Sequence, residues 1–137
     1  MAEPLGAWEN GLRLLSYQVG GQLCPGGAVK LTTYWAVSQT ASAEYHFFNH
    51  LVAQDRTLVS QQDGPGVTSL EWMAGNRLVT WFSLPLPADL VPGSYDLYCG
   101  LYGWPSLERV PVAGGGPDRR LHLTSLTVTS CGQEQTQ

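Results

Sequence analysis

His46, His50 and His122 are the candidate general bases of this chain. Serine and threonine hydroxyls are plentiful, but no Gly-x-Ser-x-Gly elbow presents one of them as a nucleophile. A triad would require base, nucleophile and orienting acid to converge from separate segments. The spacing His46-x-x-x-His50 would suit a metal on a helix. In a strand the two rings sit about 13 Å apart, too far to share one ion. His50 therefore reads as a partly buried side chain with a hydrogen-bond partner. Glycoside hydrolysis needs two facing carboxyl groups, whereas Glu44, Asp55, Asp63, Glu71, Asp89 and Asp96 fall mostly at strand ends and turns. No catalytic residue, metal or cofactor is expected.

Aromatic residues carry the livelier signal. Sugars offer apolar C–H faces that stack on exposed indole and phenol rings. Tyr34, Tyr98 and Tyr102 have outward parity in their segments, and Trp104 follows in a loop before Pro105. If the two strands share a sheet, Tyr34, Tyr98, Tyr102 and Trp104 form a flat ligand-binding platform. The competing expectation is that the tyrosines cover sheet surface or pack beneath the 103–118 loop. Trp35, Trp72 and Trp81 then fill the core.

The elements that must position these residues are strands. Segments 12–19, 28–37, 45–54, 57–63, 77–84, 94–102 and 119–129 alternate, with a weaker eighth at 107–112. Gly20-Gly21, Pro25-Gly26-Gly27, Asp63-Gly64-Pro65-Gly66, Gly75-Asn76, Pro92-Gly93 and Gly114-Gly115-Gly116-Pro117 supply the turns. Seven to eight strands predict an all-β, antiparallel two-sheet sandwich of the immunoglobulin or fibronectin-III kind. Val29, Leu31, Thr33, Trp35 and Val37 share one face; Tyr95, Leu97, Cys99 and Leu101 share another. Segment 45–54 is apolar on both faces and is expected in mid-sheet. Leu121, Leu123 and Ser125 share one parity and Leu126 and Val128 the other, and this switch predicts a bulge near Ser125. The domain is expected to span 12–131, after a lead-in at 1–11 and before a disordered tail at 132–137.

Composition narrows the class. The 137 residues suit one domain. Seven Lys+Arg against eleven Asp+Glu give a net charge of −4, and only 13% of residues are charged. With 43% hydrophobic residues, disorder is excluded, and no basic stripe offers itself to nucleic acid. No run approaches the ~20 apolar residues that span a bilayer, and the N-terminus lacks signal-peptide features, so the chain reads as soluble, without direct membrane insertion. A weakly charged, aromatic-bearing surface suits a neutral glycan or a protein partner. Three cysteines form no zinc motif, and reduced thiols are the default. In an immunoglobulin-like topology Cys24 and Cys131 reach the same end, so a disulfide, if one forms, joins those two.

The strings Val29-Lys30-Leu31-Thr32-Thr33-Tyr34-Trp35, Phe48-Asn49-His50-Leu51 and Gln62-Asp63-Gly64-Pro65 recur in order with Thr68-Ser69-x-x-Trp72-x-x-Gly75. They are followed by Leu84-Pro85-Leu86-Pro87-Ala88-Asp89-Leu90-x-Pro92-Gly93-Ser94-Tyr95 and Gly100-Leu101-Tyr102. This order resembles the immunoglobulin-like C-terminal module of bacterial multi-spanning membrane glycosyltransferases similar to dolichyl-phosphate-mannose mannosyltransferases. Asn49 and Gly103 depart from that pattern. The resemblance implies a non-catalytic, extracytoplasmic accessory domain in the cell envelope, facing its parent's membrane portion, a glycan or a protein partner. A self-standing carbohydrate-binding module is the alternative; a small hydrolase lacks a convergent site.

Overall fold

A computed structural model describes residues 3–131; the expected tail at 132–137 lies outside the described residues. Its strands are β1 (Gly6–Ala7), β2 (Leu12–Gln22), β3 (Ala28–Val37), β4 (Tyr45–Val52) and β5 (Leu58–Gly64). β6 (Arg77–Pro85), β7 (Gly93–Gly103) and β8 (Leu121–Val128) complete the set, with a short 3₁₀ turn at Ser69–Glu71. Two antiparallel four-stranded sheets result, in the orders β1-β2-β3-β6 and β5-β4-β7-β8. The fold is an all-β sandwich.

Period-2 alternation produces the core. Val29, Leu31, Thr33, Trp35 and Val37 of β3 are buried, and so are Tyr95, Leu97, Cys99 and Leu101 of β7. Trp35 sits at the centre of one cluster, with Trp8 at 5.2 Å and Phe47 at 5.1 Å between ring centroids. Its indole N–H donates to Thr33 Oγ1 at 2.9 Å, and the Thr33 and Thr80 hydroxyls bond each other, so these three polar groups are paired, whereas the Trp8 indole N–H is buried without a partner. A second cluster gathers Val29, Leu31, Leu51, Leu84, Leu97 and Val128.

Five expectations need correction. Trp81 does not fill the core: it is 72% exposed, because Leu78, Thr80 and Leu84 take the inward parity of β6. The eighth strand is not 107–112 but Gly6–Ala7, paired with Leu14 and Arg13. Segment 107–112 instead makes isolated bridges, Arg109 to Tyr102 and Val112 to Trp8, crossing from one sheet to the other where Pro111 cannot donate to a ladder. Trp8 is thereby buried, so the packed structure begins ahead of residue 12. The β8 bulge lies at Leu123, since Leu97 pairs with Thr124 and Tyr98 with His122. Gly20-Gly21 does not turn the chain, because both residues pair with β3.

β4 does lie in mid-sheet, between β5 and β7. Its outward Phe48 is nonetheless buried, lying across Gly100 and covered by the Arg109 guanidinium 4.5 Å from the ring centroid. A Cβ on Gly100 would stand 2.2 Å from Phe48 Cζ and 2.5 Å from Cε2. Gly100→Ala is therefore expected to cost about 3 kcal/mol, the upper end for overpacking. Gly20→Ala, where a Cβ meets nothing within 4 Å, should be near neutral. Urea denaturation of the two variants checks the contrast.

Cys24 and Cys131 are disulfide-bonded, with Cα atoms 5.1 Å apart. The bridge joins the β2–β3 loop to the residues after β8. Cys99 is the free thiol among the described residues, and burial pushes its pKa up to about 12, far from reactive.

Candidate functional site

The structure divides the four predicted aromatics. Tyr34 belongs to β3 and Tyr98 and Tyr102 to β7, in different sheets whose outer faces point away from each other. One platform of Tyr34, Tyr98, Tyr102 and Trp104 is therefore excluded, because their shared parity says only that each points outward, not to which side.

On the β4–β7 side the rings already have partners. Trp104 stacks on His46 with centroids 4.4 Å apart and planes 3° from parallel. Tyr102 is buried and its hydroxyl donates to Asp63 Oδ2 at 3.1 Å. The Arg120 guanidinium lies 4.2 Å from the Tyr98 ring centroid, and His122 meets the same ring edge-on. Burial raises the Asp63 carboxyl above its usual range despite the Tyr102 bond and the nearby Arg109. Burial, with Asp63 beside it, pushes Tyr102 up to about 12. Segment 104–120 thus serves this sheet as a polar and cationic cover.

His50 is buried under that cover, and Arg120 Nη1 donates to its Nδ1 at 3.0 Å. Burial, then the charges of Arg109 and Arg120, lower its pKa from 6.5 to about 4. A depressed base binds fewer protons folded than unfolded, so its contribution is complete above pH 6.5 and is lost as pH falls towards 4. The expected loss is about 1–2 kcal/mol after allowance for screening. Asp63, whose raised pKa favours the folded state as pH falls, offsets part of it. Thermal melts from pH 7 to pH 4 should show the decline. His50→Gln, which keeps an acceptor for Arg120, should flatten it.

No catalytic relay forms around His122. Its Nε2 lies 3.0 Å from Asp96 Oδ1, and the Ser125 hydroxyl donates to that same oxygen at 2.6 Å. A triad needs the imidazole between hydroxyl and carboxylate. Here the carboxylate lies between the other two, and their hydrogen bonds hold Asp96 below its usual range. Among the described residues no group of three His, Cys, Asp or Glu is placed to hold a metal.

The outer face of β2-β3-β6 is different. Its cross-strand rows read Arg13–Ala36–Arg77, Ser16–Tyr34–Val79, Gln18–Thr32–Trp81 and Gly20–Lys30–Ser83. Tyr34 and Trp81 are diagonal neighbours at roughly 7–8 Å, close enough for one extended ligand to touch both rings. The Tyr34 hydroxyl donates to Gln18 Oε1 at 3.1 Å, and Lys30 Nζ donates to Ser83 Oγ at 3.1 Å. Two shallow grooves flank Lys30 and Thr32. One, of about 460 Å³, runs past Gln18 and Gly20; the other, of about 200 Å³, passes Trp81 and Ser83. Flat rings beside short hydroxyl and amide groups can stack a pyranose and bond its edge hydroxyls.

The chain folds like a solved structure described as the C-terminal domain of wzt. The TM-score is 0.68 at 16% identity, and the match covers 95% of this chain and 80% of that one. That likeness is one of fold: a two-sheet β-sandwich module. No family model matches the chain, and no curated protein does.

Sequence reasoning found Tyr34 and missed Trp81. The signal was present in the segment Arg77-Leu78-Val79-Thr80-Trp81-Phe82-Ser83-Leu84. Arg77 and Ser83 share the parity of Trp81, and an arginine and a serine mark the wet face.

Proposed function

We propose that this chain is a non-catalytic glycan-binding sandwich domain, and that it holds a sugar strand across the outer face of β2-β3-β6. The observation that carries the reading is Trp81, 72% exposed on the outer face of the edge strand β6, with Tyr34, Gln18, Thr32 and Lys30 beside it. An indole left in water forgoes its large burial energy, and a ligand recovers it. The domain serves as the accessory part of a larger cell-envelope protein of the membrane glycosyltransferase kind, on the extracytoplasmic side. The Cys24–Cys131 disulfide supports an oxidising location, where such bridges persist. The motif order from Val29 to Tyr102 supports the parent's identity.

The test is a titration with oligosaccharides of the envelope, followed by amide and indole N–H chemical shifts. The Trp81 indole and the amides of Thr32 and Lys30 should move together and saturate. Shifts confined to Tyr98, Tyr102 and Trp104 would move the site to the opposite sheet and overturn the reading. A run of membrane-spanning helices encoded in the same reading frame would support the parent assignment.

A further inference from the structure

We infer that the glycan accepted on this face is anionic, a strand bearing spaced acidic groups such as uronic carboxylates. This rests on the glycan reading of the same site and names its ligand class. Strands β2, β3 and β6 carry Arg13, Lys30 and Arg77 and not one Asp or Glu. They do so in a chain with seven Lys+Arg against eleven Asp+Glu. Pairing with Ala36 puts Arg13 and Arg77 on the same outer face as Lys30, and all three are exposed.

Their positions match a strand lying along β3. Lys30 and Ala36 are six residues apart on β3, roughly 20 Å in an extended chain. Arg13 and Arg77 flank Ala36 at the far end, about 10 Å from each other across the sheet. Tyr34 and Trp81 lie between the cationic poles. An oligosaccharide stacked on the two rings thus runs from an ammonium to a pair of guanidiniums, each placed for a carboxylate. Single-stranded nucleic acid fits less well. It carries a phosphate at every nucleotide, against three cations over ~20 Å. The rest of the molecule, net negative, repels so dense a polyanion.

The experiment compares a hyaluronan hexamer, which carries a glucuronate at every second sugar, with a neutral N-acetylglucosamine hexamer, and with a thymidine oligonucleotide of similar length as a third probe, by calorimetry at low and high salt. The acidic hexamer should bind at least tenfold more tightly at low salt and lose that advantage as salt is raised. In the Arg13→Gln, Lys30→Met, Arg77→Gln triple variant its affinity should fall to the neutral level, with the fold verified by thermal melt. Equal binding of the acidic and neutral hexamers overturns the inference and leaves the glycan reading standing. An acidic preference that survives in the triple variant, or tighter binding of the oligonucleotide, also overturns it. If neither hexamer binds, the glycan reading itself fails.

Discussion

Trp81→Ala is expected to lower oligosaccharide affinity by about 30-fold or more while leaving the fold intact. The magnitude follows from aromatic anchors at the centre of a binding face, which cost about 2 kcal/mol or more when truncated. Stability should change little, because a ring that is 72% exposed leaves no cavity when removed. Loss of strand propensity on β6 adds at most about 1 kcal/mol. Trp81→Tyr keeps a stacking face and should restore much of the binding. Trp104→Ala is the contrasting variant, since that indole stacks on His46 beside the opposite sheet. It should leave sugar affinity unchanged. Calorimetric titration of the three variants, with melting curves alongside, reads both effects. A Trp81→Ala protein that binds like the parent would remove the platform.

Removal of the Cys24–Cys131 bridge should have the largest effect on stability. The bridge spans 107 residues of sequence, so it restricts nearly the whole unfolded described chain. Loop-closure entropy for a span of that size corresponds to about 4–5 kcal/mol, with native disulfides generally in the range of about 2–5. At roughly 3 °C per kcal/mol for a domain of this length, the melting temperature should fall by about 10–15 °C in Cys24→Ser, Cys131→Ser. Excess reductant should reproduce the shift in the unaltered protein. Thiol counting gives an independent reading: one reactive cysteine after denaturation without reductant, and three after reduction. The one is Cys99, which is buried in the native fold. Three thiols without reductant, or a melt indifferent to reductant, would show that the bridge does not form.

Much of the core was legible before any coordinates. Trp35 and Trp72 were expected inside, and they are buried. The apolar run in β4 was expected in mid-sheet, and it lies there. The misses share a cause. Gly6–Ala7 is a strand only because β2 supplies its partner, and two residues cannot show a period. Phe48 is outward yet buried because Arg109, sixty-one positions along the sequence, lies over it. Arg120 likewise covers Tyr98 from the far end of a long loop. No local pattern anticipates a cover that arrives from elsewhere in the chain.

The low overall charge shows the same division. Read as composition, 13% charged residues and a net charge of −4 pointed to a neutral glycan or a protein partner. The strands place three of the seven cations on one sheet face beside Tyr34 and Trp81, and no acid with them. By itself the sequence determined the class of fold and the inward residues of most strands. Alternation is local and has a period of two, so it can be read one segment at a time. Only the tertiary structure decided which outward residues share a face. Strand order depends on pairing between distant segments, and a two-sheet sandwich has two outsides.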